Sequence, residues 1–187
     1  MFKIIIEDIS NYMSSYFLKS IIMGLLCAFA MLCILTVFKS FDKEKADEKR
    51  IIIRTTAFFL WIVYGYMVLG ITFLCRKPVF GHQLSLIPFT AATNNVRLMA
   101  YEIENILLFV PYGILIPALV EHCKKWFFCL IAGMVTSLSI ETLQFMTMRG
   151  KAQMDDLLLN SAGTMIGWVI FMIVKRWFDK HILKEED

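Results

Sequence analysis

An all-α bundle of about five transmembrane helices, preceded by an N-terminal interfacial helix, is the fold this sequence predicts. Three observations carry it. Hydrophobic residues make up 58% of the chain and mean hydropathy is +0.65, more apolar than a soluble domain. These residues gather in runs of about the 20 residues that cross hydrocarbon. Lys, Arg, Asp and Glu gather largely between the runs, where water and headgroups solvate them. The 187 residues read as one integral membrane domain, with no internal repeat or low-complexity segment.

Within residues 2–16, Phe2, Ile5, Ile6, Ile9, Tyr12, Met13 and Tyr16 recur at spacings of three and four. Lys3, Glu7, Asp8 and Ser15 fall largely off that stripe. The stripe predicts a helix, either lying in the membrane interface or extending the first span. Spans are expected at residues 18–38, 55–75, 103–120, 126–146 and 157–174. The first is too long for a signal-peptide core and lacks a small-residue cleavage pattern, so it is expected in the mature protein. The linker 39–54 (KSFDKEKADEKRIIIR) is densely charged and belongs in water. The third span is the least apolar, interrupted by Glu102, Glu104, Pro111 and Pro117, and a kink is expected near one of the prolines.

Lys and Arg set the expected orientation, because cytoplasmic loops accumulate them. Twelve lie on one side, in the linker 39–54, the turn 121–125 and the C-terminal tail. Seven lie on the other: Lys3, Lys19, Arg76, Lys77, Arg97, Arg149 and Lys151. The N-terminus is therefore expected outside and the C-terminus in the cytoplasm. A net charge of +3 without a basic stripe argues against a nucleic-acid partner. Cys27, Cys33, Cys75, Cys123 and Cys129 form no CxxC pair and read as small hydrophobes. His82, His122 and His181 lack ligand spacing, so neither a metal nor a cofactor is expected.

In this topology the polar residues of the apolar runs converge on the outer side. Asn105 opens span three, Glu141 and Gln144 close span four, and Arg149 follows in the loop. Asp155, Asp156 and Asn160 open span five, with Arg97 within reach in the preceding outer loop. Ser137, Glu141 and Gln144 share one helix face; Asp156, Asn160, Gly163 and Gly167 share another. Glu102, Asn105, Phe109 and Gly113 form a third. The Gly163–Gly167 spacing lets two backbones approach, and is expected to pull Asp156 and Asn160 of span five against a neighbour carrying Glu141. For the amides and glycines, bracing of the bundle suffices, at about 1 kcal/mol per interhelical hydrogen bond. Three carboxylates against one or two arginines exceed what bracing needs, which makes the acids candidates for function.

Four blocks, in order, resemble the VanZ-like family of bacterial membrane proteins. They are LSLIPF (84–89), NILLFVPYGILIP (105–117), SLSIETLQF (137–145) and RGKAQMDDLLLNSAGTMIG (149–167). The family pattern falls on Pro88, Phe89, Asn105, Phe109, Pro111, Gly113, Ser137, Glu141, Gln144, Arg149, Asp156, Asn160, Gly163 and Gly167. No such motif occurs in the N-terminal half. The family takes its name from a protein associated with reduced susceptibility to teicoplanin, a lipid-bearing glycopeptide antibiotic. The resemblance therefore implies a multi-pass protein of the bacterial plasma membrane with a similar effect. It leaves open whether Asp155 or Asp156 is the essential acid; the spacing to Asn160 favours Asp156.

Two site chemistries fit these residues. A binding protein would engage a lipid-linked cell-envelope molecule or a lipoglycopeptide through Asn105, Gln144, Asp155, Asn160, Arg97 and Ser137. The aromatics Phe80, Phe89, Tyr101, Phe109 and Tyr112 would then hold an acyl chain or simply pack. A membrane-embedded hydrolase or transferase would use Glu141 as base or nucleophile, Asp156 as second carboxylate and Arg149 as anion clamp. No Ser–His pair, metal cluster or Gly-rich phosphate loop accompanies that pair. A transporter would need polar residues throughout the membrane depth, and the first two spans carry almost none.

Overall fold

The structure, a computed structural model, describes residues 1–41, 48–76, 78, 80, 81, 83–85 and 96–181, and side chains except those of 33–41, 48–54, 83 and 181. Helix α1 (Phe2–Phe41) runs unbroken for 40 residues. The N-terminal stripe is thus helical and extends the first span, because neither Pro nor Gly interrupts residues 2–23. Helix α2 (Glu48–Leu69) returns against α1, with Gly24 beneath Val63 and Phe59 and the Tyr16 ring over Gly70. A single π-helical turn, Gly70–Leu74, closes α2, its last bond running from Cys75 N–H to Gly70 O at 2.9 Å.

Strand β1 (Gln83–Ser85) and helix α3 (Val96–Leu119) come next. A 3-10 turn at Glu121–Lys124 leads into α4 (Trp126–Thr147), and β2 (Lys151–Gln153) leads into α5 (Met154–His181). Five helices are long and apolar enough to cross a membrane. Their outward surface carries Leu25, Phe29, Val135, Leu138 and Ile173, all exposed. Hydrocarbon is the solvent that such a surface suits. The chain is a multi-pass membrane protein.

Helix α3 remains one helix through Pro111 and Pro117. Proline removes a backbone bond to the preceding turn, and here Tyr64 Oη donates to the neighbouring Leu108 carbonyl at 3.0 Å. Helices α3 and α5 run parallel and nearly touch. A Cβ on Gly163 would overlap Ile106 O, one on Gly167 would overlap Val110 O, and one on Gly113 would overlap Thr164 O. The glycines of α5 therefore meet α3, while Asp156 and Asn160 lie against α4, the helix carrying Glu141, as the spacing suggested. Gly113 supplies the matching gap on α3; α4 meets α5 through Gly133 beneath the Thr164 side chain.

A two-stranded parallel sheet, Leu84 opposite Ala152, lies beside the start of α5. Three residues per strand are too few for an alternation that sequence patterning detects. Fully buried positions include Ser20, Ser137, Gln144 and Thr164 beside Phe109, Pro117 and Cys129. Small and polar side chains thus fill the interior while large apolar ones face out, the arrangement helices adopt in lipid.

Candidate functional site

The end of α2, the start of α3, the end of α4 and the start of α5 meet at one end of the bundle. Helices α4 and α5 step past each other antiparallel: Gly133 meets Thr164, then Ser137 meets Asn160, then Glu141 meets Asp156. The Asn160 amide donates to Ser137 Oγ at 2.9 Å, and Thr164 Oγ1 donates to the Asn160 carbonyl at 2.9 Å. One turn nearer the end, the Glu141 and Asp156 carboxyls lie within hydrogen-bonding reach of each other. Asn105 of α3 joins them, its Nδ2 donating to Asp156 Oδ1 at 2.7 Å.

Local structure fixes each of these side chains. Glu141 Oε2 accepts the backbone N–H of Gln153 at 2.9 Å, one residue before α5 begins. A carboxylate there satisfies a donor that a helix start would otherwise leave open. Asp155 and Asp156 occupy the first turn of α5, where the helix dipole favours negative charge. Glu141 is 6% exposed and Asp155 7%, while Asp156 and Asn105 are part-buried.

Helix α4 ends in a Schellman turn. Met148, at φ 53°, adopts the left-handed conformation, its N–H bonding Phe145 O and the next N–H, of Arg149, bonding Gln144 O. That turn aims Arg149 at the π-helical end of α2, where its Nη1 donates to Phe73 O at 3.1 Å. Gln144 makes the matching contact one residue earlier, its Nε2 donating to Thr72 O at 3.1 Å. A π-turn leaves carbonyls off the regular α ladder, and these two are taken up by the loop side of α4.

The structure therefore gathers Asn105, Ser137, Glu141, Gln144, Arg149, Asp155, Asp156 and Asn160 at one end. Arg97 is turned elsewhere: it is exposed, and its Nε donates to Tyr101 Oη at 3.1 Å on its own helix. Pro88 and Phe89 lie outside the described residues. Sequence reasoning missed Arg76, whose charge acts on both Glu141 and Asp156. Gly150, at φ 146°, admits it: a Cβ there would stand 2.8 Å from Arg76 Nη1. The signal was present in the sequence, a cation directly after a span, but it counted only toward topology. Glu104 was likewise read only as an interruption; its Oε1 is buried without a hydrogen bond, and Asp8 and Arg97 are the charges that reach it. Among the described residues no group of His, Cys, Asp and Glu has metal-site geometry.

The arrangement can present paired carboxyls, balanced by a guanidinium, to a polar group arriving at that end. A crevice of about 520 Å³ lies apart from it along the apolar side of α1, lined by Ile6, Ile9, Ser10, Met13, Ser14 and Phe17.

No solved structure matches this chain. A protein of Enterococcus faecium named Protein VanZ is 34% identical over 95 residues, 48% of this chain and 54% of that protein. The chain thus spans about half the length of that relative. The stretch aligned to the VanZ/LLP1 family model, residues 25–175, takes in the C-terminal part of α1, all of α2 to α4, most of α5, and every residue of the Asn105–Glu141–Asp156 cluster, and the chain belongs to that family.

Proposed function

We propose that this protein lowers susceptibility to teicoplanin-type lipoglycopeptide antibiotics by engaging a lipid-linked component of the cell envelope at the Glu141–Asp156 site. The carrying observation is the meeting of α3, α4 and α5 through Asn105, Asp156 and Glu141 at one end of the bundle. The Lys and Arg distribution supports an outward-facing site, with the N-terminus outside and the C-terminus in the cytoplasm. Buried carboxyls and amides are costly beside hydrocarbon, and a polar headgroup entering from the surface is a partner that repays them.

Binding is favoured over glycoside cleavage by the closeness of the two carboxyls. Glycoside-cleaving pairs stand roughly 5–9.5 Å apart to flank the scissile bond, whereas these reach one another. The same contact supports a second reading, a membrane-embedded hydrolase or transferase in which Glu141 and Asp156 share one proton as a dyad. Arg76 then balances the remaining charge, and Arg149 positions the π-turn through Phe73.

The test replaces charge while keeping shape. Glu141→Gln and Asp156→Asn are expected to reach wild-type membrane levels by immunoblot and to lose the protection against teicoplanin in a susceptible host. Wild-type protection by both variants sinks the proposal. Mass spectrometry of lipid retained by the protein in mild detergent separates the two readings: a bound molecule left unmodified marks a binder. A product absent from the Glu141→Gln preparation marks an enzyme.

A further inference from the structure

Hydrogen-bond polarity divides the site unevenly. The side-chain amides spend nitrogen on protein acceptors: Asn105 on Asp156, Asn160 on Ser137 and Gln144 on the Thr72 carbonyl. Arg149 donates to Phe73 O, and the Gln153 N–H donates to Glu141. Oxygen is left over. Gln144 Oε1 and Asn160 Oδ1 have no hydrogen-bond partner, in side chains only 1% and 4% exposed. The Thr72 carbonyl can only accept, so it fixes the Gln144 amide one way round, oxygen toward Gly150. These two oxygens flank the carboxyl pair: Asn160 lies one turn beyond Asp156 on α5, and Gln144 one turn before the end of α4, on the Glu141 face. A buried acceptor without a donor costs about 1–3 kcal/mol, so two such oxygens beside the carboxyl pair call for donors.

Resting on the function proposed above, we infer that the group this site takes is a hydrogen-bond donor on an amphiphile, a sugar hydroxyl or a primary ammonium, and not a phosphate. Carboxylates accept and never donate while ionised, and amide oxygens accept in any state. A phosphate brought here would meet Glu141, Asp155 and Asp156 as like charges, with Arg76 already set against two of them. A hydroxyl or an ammonium offers protons to the same oxygens and places no anion beside the carboxyls. The acyl part of the amphiphile would lie against the apolar outer faces of the helices, where Leu143 and Leu158 are exposed beside the site.

Nanodiscs of phosphatidylcholine, whose quaternary headgroup has no donor, provide the background for the test. Full-length protein is reconstituted with equal fractions of three probes: a monoglucosyl diacylglycerol, phosphatidylethanolamine and phosphatidic acid. Native mass spectrometry then counts the lipids that stay bound. The glucosyl lipid, the ethanolamine lipid or both should be retained about tenfold over phosphatidic acid, the difference of one charge-assisted hydrogen bond. Whichever of the two is retained identifies the donor as hydroxyl or ammonium. Asp156→Asn, which keeps the shape, should abolish the preference, and Gln144→Met should do the same in whatever fraction remains folded. Preferred retention of phosphatidic acid, or equal retention of all probes by wild type, overturns the inference. If that happens while Glu141→Gln still loses teicoplanin protection, only the ligand chemistry is wrong. If the neutral variants protect like wild type, the functional reading itself falls.

Discussion

Asn105 Nδ2 stands 2.7 Å from Asp156 Oδ1, and that bond joins the two helices whose backbones meet at Gly113, Gly163 and Gly167. The glycine contact and the polar contact are one device. Parallel helices held at this distance leave Asp156 beside Asn105 and within reach of Glu141 on α4.

Removing the donor should therefore act on both stability and site. Asn105→Ala is expected to lower stability by about 1 kcal/mol, the scale of interhelical hydrogen bonds in membranes. Asn105→Asp should cost more, by setting a further carboxyl against Asp156. Denaturation in mixed detergent micelles, followed by circular dichroism, reads both; equal stability for Asp and Ala at this position would contradict the geometry.

Arg76 and Arg149 should separate by phenotype. Arg149→Ala removes the bond to Phe73 O and is expected to lower stability by about 1–3 kcal/mol. Arg76→Gln should leave the melting temperature near wild type and weaken teicoplanin protection, because the charge facing Glu141 and Asp156 is lost. Susceptibility assays and thermal scans of the same two variants check the contrast, which fails if their effects coincide.

Glycines give a graded series. Gly163→Ala and Gly167→Ala force carbonyl overlap between α3 and α5 and should sharply reduce the folded protein recovered from membranes. Gly65 meets nothing within 4 Å, so Gly65→Ala should be neutral or stabilise by about 0.5–1 kcal/mol through helix propensity. Size-exclusion profiles in detergent rank the three.

Met148 occupies the left-handed position that ends α4, where glycine carries no Cβ penalty. Met148→Gly is expected to raise stability by about 1 kcal/mol, read as a higher melting temperature with unchanged susceptibility.

Much of the site was legible because helical spacing and alternating spans suffice to place it. Asn105, Ser137, Glu141, Gln144, Asp156 and Asn160 needed only a period of 3.6 and a count of crossings to fall at one end. The partner of Gly163 and Gly167 was not legible, since spacing names a face and not the neighbour that face meets. Arg76 was missed because a cation after a span serves equally as a topology signal. Thr72 and Phe73 were invisible for a different reason: they contribute carbonyls, and backbone acceptors leave no trace in side-chain chemistry. The paired strands were too short to show a period.

The π-turn at Gly70–Leu74 holds one residue more than an α-helical turn would. Each residue rotates a helix by about 100°, so deleting one here would restore regular winding and swing everything after it around the axis by that angle. Arg76 would then point away from Gly150, and the Thr72 and Phe73 oxygens would retract into an ordinary ladder. The extra residue sets the phase of the chain, and with it whether the guanidinium of the N-terminal half reaches the acids of the C-terminal half.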